Sequence, residues 1–156
     1  MTFSLHVDGT RWREHGAAVR DAVREAVYGG QAGARSGDIV AVAKGNGYGF
    51  GLANLGIEST RLGLDRLAVG TADEAIAISK YFAGLILVMQ PWDPRDVLAA
   101  QSWAIIEANP IRERVIRTVA SVEALHALAT SVANDAQDPI PVVIEGLTSM
   151  RRFGMA

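Results

Sequence analysis

No cysteine occurs among the 156 residues, which rules out disulfides and thiolate metal sites and fits a reducing, cytoplasmic compartment. No apolar run approaches the ~20 residues needed to span a bilayer. The start of the chain, MTFSLHVDGT, lacks a basic region followed by an apolar stretch, so no signal peptide is expected. Charge of one sign is also missing. The 15 basic and 17 acidic residues leave a formal net charge of -2, which gives no footprint for nucleic acid or an acidic membrane surface. Phosphate fingerprints are missing too: no glycine directly precedes Lys44 and no Ser or Thr follows it, as a P-loop would need. The spacing GxGxGxG is not the dinucleotide pattern GxGxxG, which counts against a doubly wound nucleotide-binding module. What the chain does have is apolar content. Hydrophobic residues make up 49% of it, enough for one domain with a sizeable core, although a closed eight-stranded barrel typically takes ~250 residues.

The stretch that organises the rest is Asp38 to Gly51, DIVAVAKGNGYGFG. The uninterrupted run Ile39-Val40-Ala41-Val42-Ala43 suits a strand covered on both faces, as in a parallel α/β sheet or barrel. Lys44 stands at its end, where the strands of such barrels deliver their chemistry. A lysine shielded there has its ammonium disfavoured, and the neutral amine is the form that attacks a carbonyl. Gly45, Gly47, Gly49 and Gly51 let the backbone approach a ligand and expose amide donors, with Asn46 and Tyr48 as polar tips between them. The competing reading is a solvated lysine at a flexible turn.

Strand and helix patterns alternate along the chain. Thr10 to Tyr28 has apolar positions at helical spacing, with Thr10 as cap and Gly29-Gly30 as stop. A polar, glycine-rich connection over residues 29 to 37 leads into the key strand. Residues 52 to 63 read as a helix, Arg66 to Gly70 as a strand, and Thr71-Ala72-Asp73-Glu74 as a capping box opening a helix to about Phe82. That capping role is preferred to a catalytic carboxylate pair at Asp73 and Glu74. Gly84 to Met89 is a third strand, stopped by Pro91 and Pro94, and Asp93 opens a short helix through Leu98 and Ala99. SWAIIEANPIRER, from Ser102 to Arg114, reads as a short strand or an insertion. Val115 to Val119 is a strand, and the segment from Ser121 a helix with Val122, Leu125, Leu128, Ala129 and Val132 inward. Residues 135 to 139 read as a turn before the strand Val142 to Ile144, which carries Glu145 at its end. His15 and His126 have no companions at ligand spacing, and Met89, Trp92 and Trp103 suit packing. The alternation predicts βα units, a parallel sheet and right-handed crossovers.

AVAKGNGYGFG closely resembles the segment around the cofactor lysine of alanine racemases, written AVVKANAYGHG, in the fold-type III pyridoxal-phosphate group. LAVGTADEAIAI resembles the same family's LAVATLEEALEL, and PVVIEGLTSMRRFGM its VHLKVDTGMGRLGF. The resemblance implies an α/β fold, the N-terminal part of a (β/α)8 TIM-type barrel with about five βα units of parallel strands, forming one partial domain over residues 1 to 156. It implies that Lys44 forms a Schiff base with pyridoxal 5'-phosphate and is catalytic, and that Tyr48 approaches the cofactor phosphate. Arg152 aligns with the arginine at the substrate carboxylate; read alone, Arg151 and Arg152 could clamp a carboxylate or phosphate, but two solvated arginines is the favoured reading. Phe50 replaces the usual histidine. Glu145 stands where the family commonly has a lysine that can be carbamylated, and is expected to pair with Arg152. The implied activity is an isomerase interconverting L- and D-alanine when completed by a C-terminal part, with little or no activity in this chain alone. The implied partners are a small amino-acid substrate and a second copy or a missing C-terminal half. Other fold-type III activities, an amino-acid decarboxylase or aldolase, and a non-catalytic pyridoxal-phosphate homeostasis protein are the alternatives.

Overall fold

The computed structural model describes residues 6–29, 39–135, 139–148 and 153–155. Most of the predicted connection over residues 29 to 37 and the middle of the turn at 135 to 139 lie outside them. Helix α1 (Gly9–Tyr28) is capped by Asp8 rather than Thr10: the Asp8 carboxylate accepts from the amides of Thr10 and Arg11. An aspartate two residues earlier reaches two of the helix's orphan donors, which the Thr10 hydroxyl inside the helix cannot do. Gly29 closes it in the left-handed conformation at φ 58°.

Five strands follow: β1 (Ala41–Val42), β2 (Arg66–Val69), β3 (Leu85–Pro91), β4 (Val115–Val119) and β5 (Val142–Ile144). All neighbours are parallel and the spatial order is β1-β2-β3-β4-β5. A doubly wound sheet reverses its order at a switch point, and this one does not. Sequential addition on one side is the order of an arc of a barrel wall. The helices between strands are α3 (Leu52–Arg61), α4 (Ala72–Ile78), α5 (Ala100–Glu107) and α6 (Val122–Asp135), with a 3-10 helix at Pro110–Arg114 ahead of β4. The short element α2 (Lys44–Tyr48) lies between β1 and α3.

The two faces of the sheet differ. Ala43, Leu67, Val69, Ile86, Val88 and Val115 point to the helices and form one core with Ala75, Ile78, Phe82 and Ile106 of the helical layer. On the opposite face Ala68 is covered, but Val42 and Val143 are each 40% exposed. β1 is therefore packed on its helix face only, against the expectation of cover on both. Its ladder is also short. Ala43 continues it by one bond to the Ala68 carbonyl at 2.8 Å, and the chain then turns away.

Several elements depart from the sequence expectation. α4 stops at Ile78 instead of Phe82. β3 runs through Pro91 instead of ending before it, because the ladder shifts register between Val88 and Pro91 and a bulge needs no proline N–H. Asp93 opens no helix: its carboxylate folds onto the Arg95 amide, and that of Asp96 onto the amides of Leu98 and Ala99, so the stretch is a pair of turns. The predicted strand or insertion at Ser102–Arg114 is helix α5 plus the 3-10 turn. On α6 the buried positions are Ala124 and Leu128, while Val122 is 52% exposed.

Candidate active site

Of the residues singled out by sequence, Lys44 and Glu145 lie just beyond the C-terminal ends of β1 and β5. Paired residues in a parallel sheet share a face, so Val42, paired with Ala68, lies on the inner, helix-free face, and Lys44 follows just beyond it with its Cβ 3.3 Å from where a Cβ on Gly70 would stand. Thr118 pairs with Val143, which puts Glu145 on that same face at the far side of the arc. Lys44 is half-buried where β1 ends.

From Lys44 the backbone does something that a loop reading does not anticipate. Gly45, Asn46 and Gly47 have φ/ψ of 62/48°, 51/40° and 65/36°, and Tyr48 has φ 53°. Four consecutive residues in this region wind one left-handed helical turn. Its closing bond runs from the Gly47 amide to the Ala43 carbonyl at 2.9 Å. For L-residues that winding costs roughly 1–2 kcal/mol each, and glycine escapes the penalty. Glycine takes two of the four positions, and asparagine, the side chain that best tolerates the conformation, takes a third. Tyr48 is the exception, standing 62% exposed at the rim.

Asn46 is the hinge of the turn and not the polar tip expected of it. Its carbonyl accepts from the amides of Gly49 at 3.3 Å and Gly51 at 3.0 Å. Its side-chain oxygen accepts from the Leu52 amide at 3.2 Å, supplying the cap that Gly51 cannot give α3. Its own N–H donates to a carboxylate oxygen of Glu74 at 3.0 Å. The other oxygen of Glu74 accepts from the Gly70 amide at 2.7 Å, and the Thr71 hydroxyl accepts from the Glu74 amide at 3.3 Å. Thr71 thus caps α4 as predicted. The Glu74 carboxylate reaches Gly70 and crosses to the lysine turn, instead of closing a box on the amide of Thr71. Sequence reading assigned Glu74 to the helix end because nothing in a linear pattern reports a bond across 28 residues.

A cleft of about 510 Å³ opens at the ends of β3 and β4, walled by Gln90, Trp92, Arg95, Ser121 and Phe153. On its rim Asp93 holds Arg95 through a side-chain hydrogen bond at 2.6 Å, which with the Arg95 amide lowers the carboxyl to about 2. The structure brings Lys44 and Tyr48 together on one turn. Arg152 lies outside the described residues, as does its expected pairing with Glu145.

The family model described as alanine racemase, N-terminal domain, matches residues 20–156. Among curated proteins no sequence matches. Solved structures do. The alanine racemase of Oenococcus oeni aligns with TM-score 0.62 and 23% identity, over 92% of this chain and 36% of its own. The biosynthetic alanine racemase of Pseudomonas aeruginosa aligns with TM-score 0.62 and 19% identity, over 91% and 35%. The histidine racemase of Leuconostoc mesenteroides subsp. sake aligns with TM-score 0.66 and 21% identity, over 91% and 34%. At these identities the likeness is one of fold, and the chain spans about a third of the length of each.

Proposed function

Because this chain belongs to the alanine racemase N-terminal domain family, we propose that it carries the cofactor lysine of a pyridoxal-phosphate-dependent amino-acid racemase acting on alanine. The observation that carries the proposal is Lys44 at the inner end of β1, opening directly into a left-handed turn. The surroundings suit the cofactor. Lys44 offers a half-buried primary amine, the group that condenses with an aldehyde. At Gly45 and Gly49 an added Cβ would meet nothing within 4 Å, so a ligand has room to lie against the backbone.

When bound, the cofactor supplies a conjugated ring that accepts the electron pair left at an amino acid's Cα. The rest falls to this chain's residues. Nζ of Lys44 would hold the cofactor and, as a free amine, would serve as the base for the Cα proton on its own face. The Tyr48 hydroxyl would donate to the cofactor phosphate, and Arg152 would offer its planar fork to the substrate carboxylate. Racemisation also needs a proton delivered to the opposite face, which Lys44 alone does not provide. Racemisation by this site would therefore depend on a second acid.

The test is to mix the protein with pyridoxal phosphate, reduce with borohydride, and map the modified residue by peptide mass spectrometry. Stable label confined to Lys44, and gone in Lys44→Ala, is the expected result. Label scattered over Lys80 and the amino terminus, or none, would reject the proposal.

A further inference from the structure

Glu74 belongs to helix α4, yet half of its hydrogen bonding goes elsewhere. One carboxylate oxygen holds the Asn46 amide in the middle of the left-handed turn, and the other holds the Gly70 amide at the end of β2. Within the turn the Gly47 amide reaches back to the Ala43 carbonyl, whereas the Asn46 amide goes out to Glu74. Gly70 makes the approach possible. A Cβ built there would lie 3.0 Å from the Glu74 oxygen and 3.3 Å from Cβ of Lys44, so the carboxylate and the lysine stem close on the same glycine from two sides.

We infer that Glu74 is the positioning residue for Lys44, tying the lysine-bearing turn to the end of β2 so that the amine is presented at a fixed height above the sheet. The inference rests on the racemase reading for what the amine does, but the tie itself is independent of it. Two charge-assisted bonds onto neighbouring loops resist the turn's return to ordinary right-handed backbone, which its non-glycine members Asn46 and Tyr48 would otherwise favour. Only an acceptor at both ends can make the bridge. In Glu74→Gln the amide NH₂ must face one of the two backbone N–H groups, donor against donor, and one bond is lost.

The experiment compares Glu74→Gln with Ser102→Ala, which removes the hydroxyl bond from α5 to Asp73 on the same helix and touches neither loop. Two readouts are taken on the full chain: amide hydrogen exchange at Asn46 and Gly70, and the pyridoxal-phosphate concentration giving half-maximal borohydride-trapped label on Lys44. Glu74→Gln is expected to raise exchange at one or both amides and to raise that concentration about tenfold, the size of one lost charged hydrogen bond. Ser102→Ala, chosen to match it in thermal destabilisation, is expected to change neither. Equal effects of the two variants would reduce Glu74 to a helix cap and overturn the inference, as would unaltered exchange and labelling in Glu74→Gln. If the parent protein takes no label on Lys44, the racemase reading fails, and exchange at the two amides alone decides the tie.

Discussion

Gly45 and Gly47 look alike in the sequence and do different work in the turn. Both lie at positive φ, at 62° and 65°. A methyl on Gly45 would project into open space, whereas one on Gly47 would come within 2.9 Å of Cδ1 of Leu55. Gly45→Ala is therefore expected to cost about 1 kcal/mol, the backbone term alone, and Gly47→Ala about 2 kcal/mol because Leu55 must also move. Urea unfolding of both variants checks the order, and equal losses would mean that Leu55 yields freely. The racemase motif AVVKANAYGHG carries alanine at both positions, and glycine there spares this chain the backbone cost that alanine would carry in the turn described above. The residue scale was half legible. Alternating glycines announced positive φ and a close backbone approach, but the handedness of the turn, the triple role of Asn46 and the reach of Glu74 are properties of backbone geometry that no residue pattern encodes.

The elements were read best where flanking signals agreed with the apolar pattern. β2, β4 and β5 fall within a residue of expectation, each bounded by turn or cap residues. α5 was missed because SWAIIEA offers an apolar triplet that fits a strand as well as a helix, and its N-terminus has no side-chain cap to announce it. Its helical form has a consequence for β4. Arg117 occupies the helix-facing side of that strand at 1% exposure, beneath α5. Its guanidinium carbon lies 4.9 Å from the Trp103 ring centroid, and it pairs with Glu107, both residues of α5. Burial lowers its pKa to about 10, so it stays charged at neutral pH and needs its partner. Glu107→Ala is expected to destabilise by about 2 kcal/mol, less than for a fully buried pair because Glu107 is 38% exposed. Arg117→Met, which removes the charge and keeps the stem volume, is expected to cost less than that. Thermal unfolding of both variants gives the order, and a larger loss in Arg117→Met would show that the ion pair and ring contact contribute net stability.

At the scale of the whole molecule, one side of the sheet is finished and the other is open. The helix-facing core is dry, with Leu67, Val69, Ile86, Val88 and Val115 at 0% exposure, while Val42 and Val143 on the other face stand 40% exposed each. Among the described residues, β1 and β5 each pair with one strand only and leave an outer edge unpaired. Such edges and an apolar face favour association. Sedimentation velocity is expected to find concentration-dependent association that Val143→Lys weakens, and a monomer at every concentration would show that the open face is tolerated as it stands. The sequence by itself determined the class of the fold and pointed to the stretch on which the proposed function rests. The βα alternation follows from local periodicity and turn residues, and Lys44 with its glycines forms one contiguous stretch whose likeness to the racemase motif survives without any knowledge of contacts. The tertiary structure decided the rest: the arc-like strand order, the exposure of the inner face, the left-handed turn, and the carboxylate of Glu74 holding that turn to β2. Each of these depends on groups far apart in the chain meeting in space, and periodicity over a few residues carries no record of such meetings.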